Sequence, residues 1–327
     1  MAWKNIKQSS LADALLIEHR ALTELDDILT LIHWQSIEKH LADLHNSKKG
    51  ERAYPPLMMF KALLLQSWYN LSDPQLEQQL ARDLLFRRFV GISLDTPIPD
   101  HTSLWRFRQK ISEDGRLDYL LDRLNTELAA SSLIIKTGQI SIIDASVIQA
   151  KHNRPNKGAD GESTQDTEAG YNVKQSSDGK QKTTYGYKAH LNVEEDGFIS
   201  KAITTSGFVH DSQCFEPLFT GKEQAVYADS AYASAKHDTL LAERHIKNGI
   251  LKRAYRNTVL TPADKRHNQL LSGIRCTVER VFGALKQHYG MGHARYRGRL
   301  RNHARLLLMS MAYNLKRGLA IQRACAV

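Results

Sequence analysis

Cysteine is scarce in this sequence. Cys214, Cys276 and Cys325 are the only three in 327 residues; they are far apart and form no C-x-x-C pair. That excludes a disulfide framework and a zinc ribbon and leaves buried thiols as the plain reading. No apolar run approaches the roughly 20 residues that a bilayer crossing needs, so no membrane partner is expected. The first ten residues are polar and lack the apolar core of a secretion signal, so a cytoplasmic location is expected. Internal repeats of solenoid period are missing. So are a P-loop, a nucleophile elbow and a kinase signature.

What is present describes a folded protein of two parts. Hydrophobic residues make up 42% and charged residues 24%, a normal balance for a globular chain, and the length exceeds what one small core needs. The net charge of +10 is unevenly spread. From Arg244 onward there are 18 Lys and Arg against two acids, Asp264 and Glu279, so this segment carries +16 and the rest −6. A cationic third beside a mildly acidic remainder is the footprint of a polyanion partner, with a solubilising surface as the bland alternative.

The first 130 residues read as helical. Leu11 to Leu44 shows no strand alternation. Tyr54-Pro55-Pro56 opens a strongly apolar helix, with proline tolerated in its first turn. Ser72 or Asp73 caps a helix expected over Gln75 to Phe89, which Gly91 ends. After the turn at 95–100, Thr102 or Ser103 caps a basic helix carrying Arg106, Arg108 and Lys110. Helix, turn, basic helix is the outline of a helix-turn-helix, though any helical bundle contains such pairs.

From Leu133 the pattern changes. Ile140 to Ile148 is β-branched and apolar on both faces, as in a central strand. Lys151 to Thr184 is polar and reads as an inserted loop or hairpin. Two strands at 185–193 and 198–205 flank the turn 194–197, and Gln224 to Ala228 forms a fourth. Ser234 starts a helix that Gly249 stops, Ile250 to Ala254 is a fifth strand, and long helices follow at about 270–288 and 300–321.

Three acids stand out. An aspartate inside an apolar strand is expensive unless its charge is used, and Asp144 is such a residue. Asp229 ends another apolar strand, where α/β proteins place site residues but where a simple cap is also at home. On the helix near 280, Ile274, Val278, Val281, Phe282 and Leu285 form one stripe about 100° wide. Arg275, Glu279 and Lys286 share a separate stripe within about 40°. A surface pair from Arg275 to Glu279 is the bland reading. It leaves unexplained a lone acid among cations beside two strand aspartates. Phosphodiester cleavage explains it. Two divalent ions about 4 Å apart can activate an attacking oxygen and stabilise a leaving one, and magnesium takes carboxylate ligands.

Several ordered motifs then carry a resemblance. Ile142-Ile143-Asp144-Ala145-Ser146, Val226 through Tyr232, and Arg275 through Lys286 with its R-x3-E-x6-K spacing resemble the Asp, Asp and Glu motifs of bacterial insertion-sequence DDE transposases of the IS-five family, with an IS-four/IS-five type catalytic domain. Tyr185 to His190, Val209-His210-Asp211, Arg295 to Gly298, Trp68 to Asp73 and Leu94 to Asp100 also resemble family signatures. The likeness covers about residues 50 to 317. One position departs: Ser272 stands where related families place a Tyr three residues before the Arg.

The resemblance implies a mixed α/β, RNase H-like sheet flanked by helices (residues 131–327, with the insertion at about 151–184), after an all-helical DNA-recognition domain (1–130). It implies a transposase that binds transposon ends, cleaves to expose a 3′ hydroxyl and joins it to target DNA, in the bacterial cytosol or nucleoid. Magnesium or manganese, two ions, is the implied cofactor. Asp144 and Asp229 would bridge the ions and Glu279 would ligate one. Arg275 and Lys286 would hold phosphates, and Arg106 and Arg108 are candidates for end recognition. Tyr296, among Arg295 and Arg297, would stack on an unpaired base or belong to a plain amphipathic cluster. Lys188 and His190 are read equally as DNA contacts or as structure, and His210 and Asp211 as orienting the site or as starting a helix. Joining two ends calls for a homodimer. A DNA-binding regulator with a dead centre and a structure-selective nuclease are the competing functions.

Overall fold

The computed structural model describes residues 20–44, 52–131, 133, 139–151, 165–175, 181–254 and 259–325. The chain divides into two compact units, Met1–Leu133 together with Leu307–Val327, and Ile134–Leu306. None of the helices described is long and apolar enough to cross a membrane.

The first unit is helical: α1 (Arg20–Leu31), α2 (Trp34–Leu41), α3 (Pro56–Trp68), α4 (Asp73–Arg82), α5 (Leu84–Val90), α6 (His101–Glu113), α7 (Arg116–Ala130) and the later part of α10 (Arg299–Cys325). α3 is apolar nearly all round and is buried nearly all round, as such a helix must be. A boundary at residue 130 would give the whole C-terminal sequence to the second unit. The end of α10 instead packs among the first helices. There the Ala312 carbonyl accepts from the Trp68 indole and Asn314 donates to the buried Asn125 side chain.

Local chemistry moves several element ends. The helix expected over 75–89 breaks at Asp83, which ends α4 and caps α5 by accepting from the Leu85 and Phe86 amides. α6 starts earlier than Thr102 or Ser103 would allow. The Asp100 carboxylate accepts from the Ser103 amide at 2.6 Å, and its charge faces the positive end of the helix. The link from α5 to α6 runs from Gly91 to Asp100. That is longer than the three or four residues of a helix-turn-helix, so the expected motif is not formed here.

Arg108 also differs from expectation. Its side chain is 6% exposed and forks onto Asp73, with Nη1 to Oδ1 and Nη2 to Oδ2 both at 2.7 Å, while Gln66 bonds both partners. This pair ties α6 to α4 and α3 and removes Arg108 from the surface that DNA could reach.

The second unit is built on one sheet: β1 (Ile140–Gln149), β2 (Gly170–Gln175), β3 (Gln181–Val193), β4 (Ile199–Ser206), β5 (Ala225–Ala228) and β6 (Lys247–Ile250). The order is β2-β3-β1-β5-β6, with β4 also on β3. β1, β3 and β4 run antiparallel in succession, then β5 and β6 run parallel to β1, joined by α8 (Ala235–Glu243). The run β4-β3-β1-β5-β6 is the RNase H-like arrangement. α9 (Pro262–His288) lies against β1, β3 and β5. β2 belongs to the polar insertion expected at 151–184; most of the remainder of that insertion lies outside the described residues.

Two glycine sites explain details that pattern did not reach. Gly249 does not stop a helix. α8 ends at Glu243, His245 turns the chain with φ +54°, and Gly249 lies inside β6, where a Cβ would sit 2.4 Å from the Tyr227 ring. The strand expected from Ile250 to Ala254 therefore starts three residues earlier and ends four earlier. On β3, β2 pairs as far as Gly186 and β4 takes over from Tyr187 on the same edge. Where the strands change over, a Cβ at Gly186 would lie 2.0 Å from the Ile148 carbonyl oxygen.

Gly186→Ala is therefore expected to destabilise the protein by about 2 kcal/mol or more, as overpacking against fixed backbone does. Gly273→Ala, on α9 with nothing within 4 Å of the added carbon, should raise stability by up to about 1 kcal/mol. Thermal melts of the two variants check the opposite signs. Arg108→Ala, which strands the Asp73 carboxylate, should cost about 3–5 kcal/mol in denaturant titration.

Candidate active site

Strand alternation and one register decide where the acids stand. Ile143, Val226 and Ala228 share a core cluster with Phe215, Leu218, Tyr232 and Leu241 on one face of the sheet. Side chains alternate along a strand, so Asp144 projects to the other face, on which α9 lies. β1 and β5 pair from Ile140↔Ala225 to Ile143↔Ala228. Asp144 and Asp229 are each the next residue after the last pair, side by side at the C-terminal end of β5. Each carboxylate is steadied locally: Asp144 Oδ1 accepts from the Ala145 amide at 2.8 Å, and Asp229 Oδ1 from the Ser230 amide at 2.6 Å, where it caps a short 3-10 turn.

α9 brings the third acid. Thr261 and Asp264 form its capping box, with Pro262 in the first turn, and Val278, Val281, Phe282 and Leu285 are its buried apolar stripe. Asp264, the other acid of the basic segment, is thereby accounted for as structure. Its hydrogen bonds with Lys252 and Thr261 hold its carboxyl down to about 2. Glu279 is exposed and faces the strand aspartates through an intermediary. Arg275, whose side chain is 10% exposed, reaches Asp144 at 3.5 Å, Asp229 at 3.8 Å and Glu279 at 3.9 Å. One guanidinium thus touches all three acids.

The donor set suits a hard divalent ion: three carboxylates from three elements, converging on a group of opposite charge. Asp144, Asp229 and Glu279 are the residues that could hold such an ion. As they stand, no three of the His, Cys, Asp and Glu side chains among the described residues are close enough to do so.

The residues expected beside this centre divide into interior and surface. His190 is fully buried, its Nε2 2.8 Å from the Thr205 hydroxyl, and burial pushes its imidazole down to about 4, against the pull of Asp211. Lys188 is buried too, donating to the Val209 carbonyl at 2.8 Å and pairing with Asp211 at 2.9 Å. The geometry favours their structural reading over the DNA-contact one, because both side chains are buried on the face of the sheet opposite Asp144. His210 starts a 3-10 turn, its Nδ1 2.7 Å from the Ser212 hydroxyl. Tyr232, which entered above only as the last residue of a motif, is buried beneath this region. Burial pushes its phenol well up, helped by Asp211, Asp144 and Asp229 nearby.

Lys286 is exposed on the same stripe of α9 as Glu279. Arg295, Tyr296 and Arg297 line a cavity of 280 Å³ with Lys151 and Asp166. Asp166 was missed, since nothing local marks it. Its Oδ2 accepts from the Tyr187 hydroxyl at 2.6 Å and the Gly298 amide at 2.9 Å, and Glu168 accepts from the Arg299 amide at 2.7 Å. The described end of the insertion thus fastens the arginine-rich loop. On the helical unit, Arg106 lines a 350 Å³ cavity with Arg52, Lys110, Tyr54 and Phe107.

Comparison with known proteins gives a family. A family model described as the Transposase DDE domain matches residues 135–315, more than half of the chain. A second, described as a Transposase domain, matches residues 13–110. Among solved structures, the chain is similar to the piggyBac transposase in a synaptic complex with hairpin DNA, with 9% identity, a TM-score of 0.37, and 94% of this chain and 81% of that chain covered. The matched Transposase DDE domain contains Asp144, Asp229 and Glu279, and the chain belongs to the DDE transposase family.

Proposed function

We propose that this chain is the transposase of a bacterial insertion sequence of the IS-five family. It binds the terminal inverted repeats, hydrolyses DNA to expose 3′ hydroxyls and joins them to target DNA. One observation carries the reading: two strand aspartates and a helix glutamate all lie within 3.9 Å of one guanidinium, at the carboxyl ends of parallel strands.

DDE transposases are generally divalent-metal dependent. In this chain Asp144, Asp229 and Glu279 would hold magnesium or manganese, with two ions the working number. Such ions, when bound, lower the cost of charge on the attacking and leaving oxygens. The chain's own part is to position. Lys286, on the stripe of Glu279, would hold a phosphate beside the scissile bond, and Arg295 and Arg297 the backbone further along. Tyr296 would stack on an unpaired base. The helical unit would recognise the transposon ends, with Arg106 in its basic cavity as the contact residue. Two chains would act together, as two ends must be joined, in the cytosol or nucleoid.

The test is a plasmid flanked by the element's own terminal repeats, incubated with protein and magnesium. Nicked and then joined products are expected from the wild type. Asp144→Asn, Asp229→Asn and Glu279→Gln should each lose product at least about 100-fold while still shifting terminal-repeat DNA on a gel, since electrostatic and metal contributions to a phosphoryl transfer are of this size. An Asp229→Asn protein as active as wild type would refute the centre. Nicking without joining would point to a nuclease, and no product at all to a regulator.

Binding should weaken steeply with salt. The double variant Lys286→Gln/Arg297→Gln should reduce the slope of log affinity against log salt by about 1.8, at about 0.9 per lost phosphate contact. Fluorescence anisotropy at several salt concentrations measures this.

A further inference from the structure

Arg108 and Arg275 are both buried, yet they are held very differently. Arg108 is locked to one carboxylate by two contacts of 2.7 Å. Arg275 makes three contacts of 3.5, 3.8 and 3.9 Å, each beyond ordinary hydrogen-bond length. Its Nε is buried with no hydrogen-bond partner among the described residues. A guanidinium largely withdrawn from water, with its Nε unpartnered and its Nη atoms in long contacts only, is held by charge, a costly arrangement. Charge also supplies the reason it sits there. Asp144, Asp229 and Glu279 repel one another, and one positive group among three negative ones relieves part of that repulsion without neutralising it.

We propose that Arg275 is the resting counter-cation of the carboxylate centre and competes with a divalent ion for the space between the three acids. The proposal rests on the reading of those acids as the metal centre. While the guanidinium lies between them, they stand too far apart to ligate; they close on an ion only when Arg275 withdraws. Arg275 lies four residues, about one helical turn, before Glu279, so rotation about its side-chain bonds is enough to move its head without unwinding α9. The consequence is that the metal-free protein resists loading. The intrinsic affinity of the acids for metal is reduced by the fraction of time the guanidinium occupies their midst.

The experiment measures Mn²⁺ binding to the full chain without DNA, by electron paramagnetic resonance of free Mn²⁺. It compares wild type, Arg275→Gln, Arg275→Lys and Asp229→Asn. Arg275→Gln should bind Mn²⁺ at least about tenfold more tightly than wild type. Arg275→Lys, which keeps the charge but not the three-way reach, should fall between them. Asp229→Asn should abolish the site. Equal or weaker binding by Arg275→Gln, with binding still lost in Asp229→Asn, would overturn the competition and leave the metal centre standing. Mn²⁺ binding indifferent to Asp229→Asn would overturn the centre itself, and the proposal with it. Melting temperature gives a second readout. In chelator, Arg275→Gln should melt below wild type, and added Mn²⁺ should raise its melting point by more than it raises that of wild type. An equal rise in both proteins would also count against the competition.

Discussion

Four backbone pairs between β1 and β5 decide most of what this protein can do. A parallel register running from Ile140↔Ala225 to Ile143↔Ala228 brings together residues 85 positions apart and ends one step short of both aspartates. Parallel neighbours cannot be joined by a tight turn, and the chain spends the intervening residues on β2, β3, β4 and the turns over Phe215. A slip of one residue would turn Asp144 into the apolar cluster of Phe215 and Tyr232 and bring Ile143 out against α9. The core and the site are thus fixed by the same pairing. Ile143 on one face and Asp144 on the other are two consequences of a single register.

The same burial produces opposite outcomes for charge in the two units. At Asp73 a fork of short bonds balances desolvation, and the result is a rigid joint among three helices. At Asp144 the contacts are long and shared among three acids, and the result is a cation that is present but loosely kept. Between these stands the Lys188–Asp211 pair under β3, whose lysine also donates to the Val209 carbonyl, within a region that includes the buried His190.

How much of this the sequence revealed depended on whether the decisive partner was local. Glu279 was legible because its helix supplies its own frame: an apolar stripe, a basic stripe and one acid out of place. Asp144 was legible because a charge in a β-branched run has no cheap explanation. The mixed, RNase H-like sheet followed from the order of strand-like and helix-like segments. Arg108 misled, because its partner Asp73 lies 35 residues away, and a basic helix looks the same whether its arginine points to solvent or to a buried carboxylate. His190 stayed open between DNA contact and structure, since nothing in Tyr185 to His190 says which face of β3 is covered. Gly186 and Asp166 were silent. Each owes its role to backbone that arrives from elsewhere: the Ile148 carbonyl for one, the Gly298 amide for the other.

The long helix α10 carries a consequence for how the protein is made. Its start belongs to the sheet-containing unit and its end to the helical one, where Ala312 receives the Trp68 indole and Asn314 meets Asn125. The helical unit therefore lacks part of its own core until Ala312 and Asn314 have been translated. Fragments that stop early contain every residue of α1 to α7 yet leave Trp68 and Asn125 without their partners. Synthesis of α10 is thereby a condition for a finished helical unit.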